Sequence, residues 1–266
     1  MTELNNLLEI ALKASALAED AILKYYGNAP EVSLKEDRTP VTIADQKAEE
    51  AMRSFLERET PSCGFVGEEF GIENESAKYQ WVMDPIDGTK SFIHEVPLFG
   101  TLLALFIDGK PAVGLIRLPA LKTCLWASVG GGAFVDGRPA RCSTKTQLNE
   151  SLVLSGTLNT MEDRELGDSF KTLRRRSLLY RGWGDCYGYY LVASGRAEVM
   201  VDPVVSLWDI APLPVIFSEA GGVFSTISGE RELFGPDAKP LHPIAEGYTG
   251  LATAPQVYTE TQKIFV

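Results

Sequence analysis

The chain has 266 residues, 45% of them hydrophobic and 23% charged, with a formal net charge of −11. These proportions are ordinary for a soluble globular protein, and the length supplies a core for one large domain or two small ones. No apolar run approaches the roughly 18 residues of a membrane span. The acidic balance, with no basic stripe to offset it, excludes a nucleic-acid backbone as partner. Cys63, Cys124, Cys142 and Cys186 form no Cys-x-x-Cys pair and only His94 and His242 offer imidazole, so neither a zinc site nor a disulfide framework is expected. The start at Met1 lacks the basic residues of a signal peptide, and the expected compartment is the cytoplasm.

Leu4, Leu7, Leu8, Ala11, Ala14, Leu17, Ala18, Ala21, Ile22 and Tyr25 form one helical stripe, predicting a helix over 3–26 with Thr2 as cap and Gly27 as stop. A short strand over 31–35 and a mobile charged stretch to Pro40 follow. Thr42 opens a second helix that buries Ala48, Ala51, Met52 and Phe55. Thr42-x-x-Asp45 resembles a capping box, although that motif prefers Glu or Gln at the last position, and it also reads as an acid in a helix's first turn facing a site. A short apolar step then leads to Gly67-Glu68-Glu69.

The organising stretch is Trp81-Val82-Met83-Asp84-Pro85-Ile86-Asp87-Gly88-Thr89-Lys90-Ser91-Phe92. Its apolar start reads as a strand end, and Pro85 holds Asp84 extended. Gly88 permits close approach of a ligand, and the amides beyond it open a short helix whose positive end suits an anion. Carboxylates beside backbone donors suit divalent cations bridging to a phosphate. Taken alone, the same dipeptides describe an Asp-Pro, Asp-Gly turn.

Residues 99–134 read as an antiparallel meander packed on the first two helices, with strands over 101–107, 112–118 and 122–127 and hairpin glycines at 130–132. Beyond Arg141 the rhythm changes. Strands over 152–155, 178–180, 197–201, 223–226 and 250–254 alternate with helices over 163–174, 185–194, 207–220 and a last one from Ala254. An α+β half over 1–147 followed by an α/β half over 148–266 is the expected organisation.

Gly67-Glu68-Glu69, Asp84-Pro85-Ile86-Asp87-Gly88-Thr89-Lys90-Ser91-Phe92, Trp208-Asp209-Ile210-Ala211 and Glu219-Ala220-Gly221-Gly222 together resemble the signatures of the inositol monophosphatase family, in the family's order and spacing. The resemblance implies a layered α-β-α-β-α sandwich of the inositol monophosphatase and fructose bisphosphatase type. It also implies a Mg2+-dependent phosphatase, with Mn2+ an alternative and two or three ions bound. One ion would be held by Glu68, Asp84 and the carbonyl of Ile86, a second by Asp84, Asp87 and Asp209. Thr89, with Asp45 or Glu68, would position the attacking water, and the amides of Gly88 and Thr89 the phosphate. A homodimer is the family's usual assembly. Lys35 matches a family lysine near the site, and Glu69 reads as a supporting or solvated acid.

The segments facing the leaving group are Arg181-Gly182-Trp183-Gly184-Asp185-Cys186-Tyr187-Gly188 and the strand ending Val201-Asp202-Pro203. Asp185, Tyr187 and Asp202 depart from the inositol phosphatases and resemble the histidinol-phosphatase branch. An ammonium and an imidazole suit these acids, although each acid equally suits a helix or turn cap. The alternatives are an inositol-1-phosphate phosphatase of broad specificity and, more remotely, a non-catalytic sensor of phosphorylated metabolites. Trp208 reads mainly as core support and His94 as a surface residue.

Overall fold

The computed structural model describes residues 3–28, 32–34, 40–235, 241 and 247–266. Thr2, Lys35, the 36–39 stretch and His242 lie outside them. The chain opens with α1 (Glu3–Leu23), the antiparallel pair β1 (Val32–Leu34) and β2 (Pro40–Thr42), and α2 (Ile43–Glu59). Then come β3 (Gly64–Gly67), β4 (Gly71–Glu73), β5 (Tyr79–Asp87) and the short helix α3 (Thr89–Ile93). A meander of β6 (Gly100–Ile107), β7 (Lys110–Leu118), β8 (Thr123–Ser128), β9 (Gly132–Val135) and β10 (Arg138–Pro139) follows.

The second part contains β11 (Leu152–Ser155), α4 (Leu158–Asp163), α5 (Gly167–Arg176), β12 (Leu179–Arg181) and α6 (Asp185–Ala193). It continues through β13 (Val199–Val205), α7 (Leu207–Ile210) and α8 (Leu213–Ala220). The chain ends with β14 (Val223–Ser225), β15 (Tyr248–Thr253) and α9 (Tyr258–Gln262). No described helix is long and apolar enough to cross a membrane.

Strands β10-β9-β8-β7-β6-β5-β3-β4 form one sheet and β12-β11-β13-β15-β14 a second. Because side chains alternate along a strand, the large sheet buries both faces. Trp81, Met83, Leu103 and Leu105 face α1 and α2, where they meet Ile22, Met52 and Leu56. Val82, Leu102, Ala104 and Phe106 face the opposite way, onto α6 and α8. Those two helices in turn pack on Met200, Phe224 and Ala252 of the smaller sheet. Its outer face, with Val153, Val199 and Val201, is covered by Phe170 and Leu173 of α5 and Tyr258 of α9. The result is the five-layer α-β-α-β-α sandwich that the resemblance implies.

Three elements differ from the sequence expectation. β3 runs parallel to β5, inside what reads as a purely antiparallel part. Four residues, Gly64–Gly67, are too few to show a period. The helix expected over 163–174 is two helices, α4 beginning earlier and α5 ending at Arg176, with Glu165 at φ +59° in the break. The helix expected over 207–220 is also two, interrupted at Pro212, which has no N–H to continue the ladder.

That interruption seats α7 on the large sheet. The carbonyl of Pro212 lies so close to Gly114 of β7 that a Cβ there would stand 2.3 Å from it. Gly114→Ala is therefore expected to cost about 1–3 kcal/mol, the usual penalty for overpacking. Urea unfolding of the variant beside the parent measures it.

Candidate active site

The site begins with a bulge in β5. Asp84 pairs with Leu102 and Asp87 with Gly100, so Pro85 and Ile86 together oppose Thr101 alone. Residues three apart on a regular strand face opposite sides, and the extra residue brings both acids to one mouth. The bulge is held by Thr101 Oγ1 donating to the Pro85 carbonyl at 2.8 Å and by the Ile86 N–H donating to Asp84 Oδ1 at 2.9 Å. Gly88 turns the chain with φ +84°, a left-handed conformation that a Cβ would strain. α3 then starts with no side-chain cap on its amides, while Thr89 Oγ1 donates to the Ile86 carbonyl at 3.0 Å.

Asp209 arrives from the other half of the chain as the third residue of α7. It closes a capping box in which the Ser206 N–H donates to its Oδ2 at 2.7 Å. Carboxylate oxygens of Asp84, Asp87 and Asp209 all lie within 4.8 Å of one another. Glu68, on the turn after β3, lines the same cleft, near enough that its charge raises Asp84. These acids line a cleft of about 190 Å³ with Ile86, Gly88, Thr89, Lys90, Asp185, Ser206 and Trp208.

Burial and mutual repulsion push the three aspartates toward the protonated form. Burial, then Glu68, Asp209 and Asp87, hold Asp84 well above the ordinary carboxylate value. Asp87 is raised by burial and by Asp185 and Asp209, against the opposing bond from the Cys186 N–H. Asp209 is raised to about 7, mainly by burial. The donor set is all oxygen, from converging carboxylates and the Ile86 carbonyl. This is the chemistry that a hard divalent cation such as Mg2+ or Mn2+ takes, and its charge would cancel the repulsion.

Asp45 takes up the capping reading and stands behind the residues that line the cleft. Thr42 N–H and Oγ1 donate to its Oδ2 at 2.8 and 2.6 Å, forming the capping box. It also senses the charge of Glu68, and burial above all raises it to about 6. Asp185 begins α6 at φ +53°, between the two acidic groups: it raises both Asp87 and Asp202. Its approach depends on Gly184, where a Cβ would stand 2.4 Å from the Gly156 Cα. Asp202 occupies a second bulge, between its own pairing with Gly250 and that of Val205 with Tyr248. Burial, then Asp185, raises it to about 8, while a bond from the Gly156 N–H opposes the shift. The buried Tyr189 hydroxyl leans toward Asp202 without a well-aligned hydrogen bond.

Tyr187 does not join these residues, contrary to expectation. It stacks on Tyr190, with centroids 6.1 Å apart, and lines a separate cleft beside Arg138 and Arg196. Two residues on from Asp185, it points to the other side of α6, because only neighbours three and four apart share a face. Trp208 packs on the inner core with one edge in the cleft, and His94 is exposed. Glu219 of the Glu-Ala-Gly-Gly motif accepts from the Gly130 and Gly132 amides at 2.7 and 2.8 Å and so clamps the β8–β9 hairpin. Lys90 and Ser206 line the cleft without having been singled out as ligand-facing. Both sit within one to three residues of an expected acid, and that proximity is the signal that marks them.

Comparison with known proteins defines the class. The chain belongs to the inositol monophosphatase family, whose model matches residues 3–261, and it is a phosphatase. Among its relatives is a protein from Chlorobaculum parvum named histidinol-phosphatase, 40% identical over 85% of this chain and 88% of that one. Another of the same name from Mycobacterium tuberculosis is 39% identical over 74% of this chain and 78% of that one. A solved inositol monophosphatase from Zymomonas mobilis superposes with a TM-score of 0.83 at 27% identity, covering 100% and 99% of the two chains.

The raised carboxyl groups set the response of the metal-free protein to pH. Each holds in the fold a proton that the unfolded chain has lost above its ordinary value of 3.8. Their stabilising effect is full below that value and is lost as pH rises through about 6, 7 and 8 for Asp45, Asp209 and Asp202. With cations chelated, the melting temperature is expected to fall between about pH 4 and 8. Scanning calorimetry across that range checks the sign.

Proposed function

We propose that the protein is a Mg2+-dependent phosphomonoesterase that hydrolyses L-histidinol phosphate to L-histidinol and phosphate. The observation that carries the substrate choice is the half-buried Asp185 and the buried Asp202 beside Asp87: both raise Asp87, and Asp185 raises Asp202. An ammonium or imidazolium beside two such acids lets both ionise, whereas the neutral hydroxyls of an inositol ring leave the repulsion in place. The names of the two relatives at 40% and 39% identity support the same choice.

In this reading Glu68, Asp84 and the Ile86 carbonyl would hold one cation and Asp84, Asp87 and Asp209 would hold a second. When bound, such ions supply Lewis-acid chemistry: they neutralise the ester's charge, stabilise the leaving oxygen and acidify water. The residues do the rest. Thr89 donates to Ile86 and keeps its lone pairs for a water's hydrogen. Asp45, raised to about 6, is matched to accepting a proton near neutral pH, and Glu68 lines the cleft as a second group to orient the water. The uncapped amides of Gly88 and Thr89 hold phosphate oxygens, and Asp185 and Asp202 hold the nitrogenous end of the ester.

Two measurements test this reading. Asp84→Asn is expected to lower turnover by at least about 10³, the scale of losing a major electrostatic element. Near-normal activity would remove Asp84 from the ion site. Asp202→Ala is expected to lower kcat/KM for histidinol phosphate about 10- to 100-fold and that for a simple aryl phosphate far less. Equal losses on both, or faster turnover of myo-inositol 1-phosphate than of histidinol phosphate by the parent, would overturn the substrate assignment.

A further inference from the structure

One buried acid close to the site has no part in the scheme above. Glu49 lies on α2, one helical turn beyond Asp45, and its side chain is fully buried. Its Oε2 accepts from the Glu69 N–H at 2.8 Å, and its Oε1 accepts from the Phe70 N–H at 3.1 Å and from Arg53 Nη2 at 3.2 Å. Arg53 continues the connection by donating to the Gly71 carbonyl at 2.8 Å. The turn between β3 and β4 is thereby bound to α2 along its length, and this is the turn that carries Glu68. On its other side the Glu68 N–H donates to the Met83 carbonyl of β5 at 3.3 Å.

The contact is built into the backbone. A Cβ on Gly67 would stand 1.8 Å from Glu49 Oε1, so the carboxylate reaches the amides only because residue 67 is glycine. Burying a carboxylate costs free energy that apolar packing would avoid, and replacing such ion pairs by hydrophobic groups is often neutral. Charge-assisted bonds to two consecutive amides do what apolar packing cannot: they set the direction of the chain at one peptide. Arg53 cancels the charge, so the anchor adds no repulsion to the acidic cluster.

We propose that Glu49 is the positioning residue for Glu68, a strut from α2 that aims the Glu68 carboxylate into the cation site. The proposal rests on Glu68 being a cation ligand. It assigns Glu49 no contact with substrate. Supporting residues of this kind typically set about 10- to 100-fold of metal affinity.

The test is Mg2+ binding by titration calorimetry on the substrate-free protein, at a temperature where circular dichroism shows each variant folded. Glu49→Gln and Gly67→Ala are compared with the parent and with Asp84→Asn. Glu49→Gln keeps the shape but opposes an amide to an amide, and Gly67→Ala displaces the carboxylate without changing any charge. Both are expected to weaken Mg2+ binding about 10-fold or more, with turnover recovering toward the parent value at high Mg2+. Folded variants with Mg2+ affinity within about twofold of the parent would overturn the proposal, even if their melting temperatures fall. In that outcome, loss of Mg2+ binding in Asp84→Asn leaves the ion site standing and the failure with Glu49 alone. Unchanged binding in Asp84→Asn would instead fault the ion site itself.

Discussion

Four carboxylates brought into one cleft repel one another, and the rest of the molecule is arranged to hold them there regardless. Glu68 follows the end of β3, Asp84 and Asp87 stand at the same end of its parallel neighbour β5, and Asp209 comes from a helix more than a hundred residues later. No local preference assembles such a group. Two packed cores do, one on each face of the large sheet, by fixing the positions of β5 and α7 independently of the charges they carry. The raised proton affinities record the cost of that placement, which a divalent cation offsets on arrival.

The means of placement is the same on both sheets. An Asp-Pro pair sits at a bulge in β5 and again in β13, and each bulge swings an acid out of the strand's alternation. Proline is tolerated there because the bulge interrupts the ladder that would need its N–H. Each strand thus carries an acid out of its alternation near Asp87, while the apolar starts anchor the strands in different layers. Rigidity comes from the apolar starts and chemistry from the terminal acids.

Much of this was legible in the chain. The large sheet's meander, the stripe of α1 and the acid spacing around Gly88 are local patterns, and local patterns are what a sequence displays. The parallel partner β3 was not legible, because Gly64–Gly67 is too short for a period and its partner is distant in sequence. Pro212 was visible, but its effect depends on Gly114 accepting the displaced carbonyl from another layer. Tyr187 was misplaced because proximity in sequence to Asp185 does not mean a shared helical face. Glu49 was missed for the opposite reason: on the surface pattern of α2 it reads as one more solvated acid, and only the turn folded over it makes it buried.

Asp45 and Asp209 share a feature with consequences beyond chemistry. Each is the third residue of a helix and each closes the capping box that starts it. On the proposed reading, duties of scaffold and site fuse in each of these side chains, so the two cannot drift apart over evolutionary time. A descendant that abandoned hydrolysis would shed Asp84 or Asp87 freely, yet selection for mere foldedness would still favour keeping the other two. Persistence of those two alone would therefore be a poor marker of an active homologue.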